Sequence, residues 1–199
     1  MTTTLTCTEV AEVLPGYGFP EKYQGNAYGE YRLYKVSDIS NALQNGERRI
    51  TKSANYIDRA TLRTLKAKSI PAGATIFAKI GEAIRLNRRA LTTMACVIDN
   101  NVAAVKVFEG KSTDWFIYYV LSEVSLADYA GGVVPAVNKS SIENIEIICP
   151  SMTEQQKIAD CLASLDELIS AEAQHLDTLK KHKKGLMQQL FSPLDEMPG

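Results

Sequence analysis

The acidic residues with the spacing of a metal-dependent nuclease lie near the middle of the chain. Asp99, followed by Glu109-Gly110-Lys111, fits a loose D…E-x-K pattern, in which two carboxylates bind Mg²⁺ and the lysine helps to activate water. The pattern is short, and Glu109 is expected at the end of a strand rather than within it. A Mg-dependent nuclease is therefore kept only as a minor alternative.

Other catalytic or metal-binding signatures are weak. No two prolines are adjacent, so the signature of adenine methylation (Asn or Asp, then Pro-Pro and an aromatic residue) is missing. His175 and His182 lie seven residues apart without further ligands nearby, and the four cysteines include no C-x-x-C pair. We predict no catalytic residue, no metal and no cofactor.

The charge distribution is informative although the formal net charge is only -1. Residues 46–89 contain eleven Lys or Arg and three acidic residues, a local charge of +8. Lysine and arginine bind DNA by neutralising phosphates, and Arg and Asn also read base edges in the major groove. With the loop that follows Gly131-Gly132, this segment gives the predicted DNA contacts: Arg48, Arg49, Lys52, Lys79, Arg85, Asn87, Arg88, Arg89, Asn138 and Lys139.

The elements that must position these residues are short. Strands are predicted at 31–36, 75–80, 94–98, 102–108 and 145–147. The strands at 94–98 and 102–108 flank Asp99-Asn100-Asn101 and are predicted to form a hairpin. Ser112-Thr113-Asp114 is predicted to cap a helix whose residues Trp115, Ile117, Tyr118, Leu121 and Val124 repeat at helical spacing. Residues 1–150 are therefore predicted to form one mixed α/β domain, without long β-α-β alternation.

A long amphipathic helix is predicted after Pro150, beginning with a Thr153–Gln156 capping box. Its apolar residues repeat in heptads, and Leu or Ile occupies eight of the ten a and d positions from Ile158 to Leu190. Such regularity is typical of a coiled coil. The alternative is a helix that folds back on its own domain. The predicted dimer interface consists of Leu162, Leu165, Ile169, Glu172, Leu176, Leu179, Lys183, Leu186 and Leu190.

Charge along the helix favours an antiparallel pair. Residues 154–177 hold six acids and one base, whereas 178–191 hold four lysines and no acid. Two antiparallel copies would place acidic residues against basic ones. The favoured register sets Glu172 opposite Lys183 of the second copy and leaves Ile158 and Leu162 to pack on their own domain. A competing register overlaps more residues but sets Lys183 opposite Leu165.

The chain resembles the specificity subunit of type I restriction-modification systems. The resemblance is carried by the run NKSSIENIEI (138–147), by Pro150 followed by EQQKIA (154–159), and by the helix end at 179–191. Upstream, FAKIG (77–81) and Asn87-Arg88-Arg89 are similar to the central strand and turn of the family. The usual member has two target-recognition domains and two helices, whereas this chain has one of each.

The resemblance implies a non-catalytic subunit that binds a specific double-stranded DNA sequence and recruits methyltransferase and restriction subunits. The predicted fold is α+β, with a target-recognition domain (1–150), a dimerisation helix (151–192) and a tail (193–199). A half subunit would form a homodimer or pair with another half. A coiled-coil adaptor that binds protein is the alternative. Residues 1–10 lack a signal-peptide pattern and no apolar run would span a membrane, so a cytoplasmic protein is expected.

Overall fold

The computed structural model describes residues 2–191, and its strands are mostly short. They are β1 (Thr3–Thr6), β2 (Ala11–Pro15), β3 (Tyr31–Tyr34), β4 (Arg49–Ile50), β5 (Tyr56–Ile57), β6 (Thr75–Ala78), β7 (Arg89–Thr92), β8 (Cys96–Ile98), β9 (Val102–Val107) and β10 (Glu146–Cys149). The helices are α1 (Cys7–Val10), α2 (Val36–Gln44), α3 (Arg59–Thr64), α4 (Asp114–Glu123), α5 (Lys139–Glu143) and α6 (Met152–Leu190). This confirms the predicted mixed α/β fold with a long C-terminal helix.

A five-stranded sheet in the order β2-β9-β6-β7-β4 organises the core. Only β4 and β7 run parallel, and the other three pairs are antiparallel. All four residues of β6 are buried because both faces of the sheet are covered. Phe77 packs with Ile117 and Leu121 of α4 on one face, whereas Ile76 packs with Ile39 of α2 on the other. The alternation of side chains along a strand produces this division.

Two smaller sheets complete the compact part of the chain. Strands β5, β3 and β8 form a three-stranded sheet, where Leu33, Ile57 and Val97 share a separate core cluster with Leu62 of α3. Strands β1 and β10 form an antiparallel ribbon, with Thr3 opposite Cys149. Three connections, at 16–29, 79–88 and 130–138, lie outside these sheets apart from isolated bridges.

The predicted hairpin around Asp99-Asn100-Asn101 is wrong. Residues 99–102 form a turn, in which Val102 N donates to Asp99 O at 2.9 Å. The flanking strands, however, pair with other partners: β8 lies parallel to β3, and β9 lies between β2 and β6. The turn residues therefore indicate the reversal correctly, but they do not determine which strands form the ladders.

Helix α6 runs from Met152 to Leu190, which confirms the predicted long helix. Its first turn is capped by Ser151, whose Oγ accepts from Glu154 N at 3.4 Å, and not by the predicted Thr153–Gln156 box. The compact unit of the chain extends to Asp160 and buries Gln155 and Ala159. Ile158, which was expected to pack on this unit, is exposed because positions 155 and 159 share the buried face.

From Cys161 onward the helix forms a second unit. Its heptad a and d positions form an apolar seam, and their apolar side chains are 36–74% exposed. These residues are Leu162, Leu165, Ile169, Leu176, Leu179, Leu186 and Leu190. Within residues 2–191, none of the helices combines the length and the hydropathy needed to cross a bilayer. The predicted tail at 193–199 lies outside the described residues.

Candidate nucleic-acid interface

The connection between β6 and β7 (residues 79–88) is hydrogen-bonded to a tight hairpin at 131–136. Lys79 O accepts from Val137 N at 2.9 Å, and Gly81 N donates to Pro135 O at 2.8 Å. Gly131 and Ala136 close the hairpin by exchanging two hydrogen bonds of 3.1 Å. Two segments predicted separately to contact DNA therefore form one continuous surface at the end of β6.

Lys79 and Arg88 are the available cations of the 79–88 connection. Neither has an ion-pair or hydrogen-bond partner for its side chain among residues 2–191. Lys79 and Arg88 are half-buried, whereas Arg85 is exposed and its Nε lies 3.0 Å from Glu82 Oε2. An exposed ion pair of this kind costs little to break. All three side chains can therefore be offered to a polyanion.

Arg89, in contrast, is a structural residue and must be removed from the predicted DNA contacts. It is 3% exposed, and its guanidinium donates to Arg88 O at 3.1 Å and to Val124 O at 3.3 Å. The guanidinium also lies 5.0 Å from the centre of the Phe77 ring. Burial lowers the pKa of Arg89 to about 10. A side chain held in this way joins β7 to the segment after α4 and does not reach solvent.

Asn87 supports the same internal network. It adopts the left-handed conformation (φ 47°), and its Nδ2 donates to Ser122 O at 3.0 Å. Its Oδ1 accepts from Arg89 at 2.7 Å and from Leu126 N at 3.4 Å. Because both the oxygen and the nitrogen of its side-chain amide are hydrogen-bonded, Asn87 is not positioned to read an adenine. Its prediction as a DNA contact is therefore also corrected.

The residues around β4 lie beside the end of β7. Arg49 is opposite Leu91 in the parallel ladder, and Arg48 O accepts from Leu91 N at 2.8 Å. The guanidinium of Arg49 lies 5.3 Å from the centre of the Trp115 ring, which stacks in turn on Tyr119. Lys52 is exposed and lies 3.7 Å from Glu47. Arg49 and Lys52 thus form a second basic edge, in which the Arg49 guanidinium packs on the Trp115 ring.

Asn138 and Lys139 follow the hairpin directly. Asn138 caps α5, since its Oδ1 accepts from Ser141 N at 2.8 Å and from Ser140 Oγ at 2.7 Å. Lys139 is exposed and lies 3.5 Å from Glu143 within the same helix. Asn138 thus has a structural role at its oxygen, whereas Lys139 remains a candidate for phosphate contact.

A further group of basic residues lies in the 46–89 segment but is not among the predicted DNA contacts. Arg63, Lys66 and Lys68 are all exposed at the end of α3, and no carboxylate of the described chain pairs with them. They pack around a different core cluster from the 79–88 connection. Residue type and charge alone could not decide between the two groups.

The nuclease alternative fails on geometry. Asp99 precedes β9 and Glu109 follows it, so the six residues of this strand separate the two carboxylates by about 20 Å. Asp99 accepts from Asn101 Nδ2 at 3.0 Å. No group of acidic, histidine or cysteine side chains within residues 2–191 is arranged to hold a metal ion. Asp99, Glu109 and Lys111 therefore do not form a common metal site.

Comparison with known proteins agrees with the predicted family. A family model described as the type I restriction modification DNA specificity domain matches residues 3–181. The chain belongs to this family. The type I restriction enzyme MjaVIII specificity subunit of Methanocaldococcus jannaschii is 37% identical over 82 residues, which are 40% of this chain and 19% of that protein.

Solved structures show the same fold as nearly the whole of this chain. A chain from a structural study of the assembly and conformational transition of a type I R-M system matches with a TM-score of 0.74 and 14% identity. It covers 94% of this chain and 44% of that one. The S subunit of M. genitalium matches with a TM-score of 0.64 and 17% identity, over 98% of this chain and 47% of that one. The chain thus spans less than half the length of these relatives.

Proposed function

We propose that this chain binds a specific double-stranded DNA sequence as the recognition component of a type I restriction-modification complex, without catalysing a reaction itself. The match of the DNA specificity family to residues 3–181 carries the proposal. Lys79 after β6 and Arg88 before β7 support it, because both are half-buried cations without internal partners in the described chain, and such cations can neutralise phosphates. Methyltransferase and restriction subunits are the proposed partners.

The proposal includes an antiparallel homodimer formed by α6. Apolar side chains along the seam from Leu162 to Leu190 are exposed in the single chain, and a contiguous apolar stripe of this length favours association. A second copy would also supply the second target-recognition domain and helix that the family resemblance implies, and the solved relatives are about twice as long as this chain. The reversed charges of the two halves of the helix favour the antiparallel arrangement over the parallel one.

DNA binding is tested by measuring affinity for duplex DNA over a range of salt concentrations. The variant K79A/R85A/R88A should lower both the affinity and the salt dependence, by about one unit of slope for each lost phosphate contact. The matched control is R63A/K66A/K68A, which removes the same charge from the other exposed group. If the two variants weaken binding equally, the 79–88 connection is not the principal interface.

The dimer is tested separately by light scattering on the purified full chain. A mass of twice 21.9 kDa is expected. A monomer that still binds DNA with unchanged specificity would contradict the homodimer and leave DNA recognition intact. A chain that binds no duplex DNA at any salt concentration, alone or with its methyltransferase subunit, would contradict the proposed function and favour the adaptor alternative.

A further inference from the structure

The tip of the 131–136 hairpin exposes two valines to solvent. Val133 has a relative exposure of 104% and Val134 of 62%. Valine is normally placed inside a folded domain, and neighbouring exposed valines on a loop often mark a contact surface. Neither valine belongs to a core cluster of the compact unit or packs against one.

The hairpin holds the valines outward by several hydrogen bonds. Its ends are joined by the two bonds between Gly131 and Ala136, and Pro135 O accepts from Gly81 N. Gly132 takes a positive φ of 91°, which residues with a Cβ rarely adopt. Val137, directly after the hairpin, is buried in the core. The tip therefore cannot rotate inward without breaking its connection to the β6–β7 surface.

The surroundings of the tip identify the occupant as DNA rather than as an apolar protein surface. The hairpin is bonded to Lys79 and Gly81, and the same connection carries Arg85 and Arg88. A partner must then offer negative charge beside an apolar contact. In the major groove, phosphates line the edges, and the thymine C5-methyl is the apolar group among the base edges.

We infer that Val133 and Val134 enter the major groove and contact thymine methyl groups, and so determine part of the DNA sequence that this chain prefers. The inference rests on the proposed function and adds a specificity determinant to it. Lys79 and Arg88 contact the flanking phosphates and set the depth at which the tip enters. The recognised half-site accordingly contains at least one A·T pair at the position of the hairpin.

The test starts from the site that the full chain selects out of random duplex DNA. Each thymine of that site is then replaced by uracil, which removes only the methyl group. Binding of the wild-type chain should weaken about three- to fivefold at one or two positions, as expected for loss of one buried methyl contact. The variants V133A and V134A should bind the original site more weakly and lose the sensitivity to uracil at those positions.

Ile148→Ala is the matched control, because Ile148 is 65% exposed on β10, away from the hairpin. It should keep both the affinity and the response to uracil. Insensitivity of the wild-type chain to every uracil would overturn the inference while leaving DNA recognition standing. Equal weakening by V133A on thymine and uracil sites would overturn it too, since the tip would then contact the backbone. Absence of any DNA binding would instead refute the proposed function.

Discussion

Ser112 donates from its Oγ to Gln155 Oε1 at 2.7 Å, and both residues are buried. Thr113 N donates to the same oxygen at 3.3 Å, and Gln155 Nε2 donates to Pro150 O at 3.0 Å. The Gln155 side chain thus accepts from Ser112 and Thr113 and donates to Pro150. These hydrogen bonds fix the first turns of α6 against the residues that precede α4. This side chain therefore anchors the first turn of α6 within the compact unit.

Replacement of Gln155 by leucine should therefore destabilise the compact unit. Leucine fills a similar volume but leaves the Ser112 hydroxyl and Thr113 N without their acceptor, at a cost of about 2 kcal/mol. Urea unfolding followed by circular dichroism measures the loss. The control is Gln156→Leu at the neighbouring exposed position, which should change the free energy of unfolding little. Equal effects of the two variants would show that the buried network adds no stability.

Arg89→Lys should also be destabilising, by about 2–3 kcal/mol, although the charge is conserved. Lysine cannot reproduce the planar fork that contacts Asn87, Arg88 and Val124. Arg88→Lys provides the control, because the Arg88 side chain forms no such contacts. Thermal unfolding of both variants separates the two roles. A stable Arg89→Lys chain with weakened DNA binding would restore Arg89 to the interface.

Thiol reactivity should distinguish Cys161 from the other cysteines. Cys7, Cys96 and Cys149 are buried and Cys161 is exposed, so a thiol reagent at pH 8 should label one residue quickly and the rest only after unfolding.

Burial raises the pKa of Cys7 to about 11 from 9.0, so the unfolded chain loses this proton first. Stability should therefore fall as pH rises from 9 to 11, and Cys7→Ala should reduce that slope. A free energy of unfolding that does not change between pH 9 and pH 11 would contradict this prediction.

The coiled-coil register is tested by charge reversal in the apolar seam. If Glu172 faces Lys183 of the second copy, Glu172→Lys or Lys183→Glu alone should weaken the dimer about tenfold or more, because like charges then meet. The double variant should recover most of the affinity in sedimentation experiments. Glu167→Lys, on the heptad f position, is the control. Additive losses in the double variant would favour the register that sets Lys183 opposite Leu165.

The symmetry of a homodimer makes a prediction about the DNA site. Two identical domains related by a twofold axis should prefer an inverted repeat, with half-sites roughly one to two helical turns apart. Selection from random duplexes gives the site directly. Variation of the spacer by half a turn should then reduce affinity strongly. Recovery of one contiguous asymmetric site would contradict the homodimer but not DNA recognition.

The long helix and the mixed α/β domain were predictable because heptad repeats and capping residues act locally. The same holds for Thr113, whose side chain accepts from Phe116 N at 3.2 Å as a helix cap should. Strand pairing was not predictable from the same signals. The turn at Asp99 reverses the chain, but β8 pairs with β3 and β9 pairs with β6, which lie far away in the sequence. Local propensity contains no information about such distant pairings.

The candidate interface was predicted in part. Charge identified the basic segment, and the family resemblance identified the loop near Asn138, yet neither distinguishes a buried arginine from an exposed one. Arg88 and Arg89 are adjacent and chemically identical, yet Arg88 precedes β7 and is half-buried, whereas Arg89 begins β7, all four residues of which are buried. The two valines of the hairpin carry no charge, so a search for basic residues had no reason to select them.

The pairing of Thr3 with Cys149 places the first strand of the compact unit beside its last. Entry and exit of the polypeptide are therefore neighbours, separated by little more than the width of one ladder. A segment with this geometry can be replaced as a unit, because the flanking chain needs no rearrangement. Under the proposed function, a new DNA target would then require replacement of one contiguous stretch of the gene.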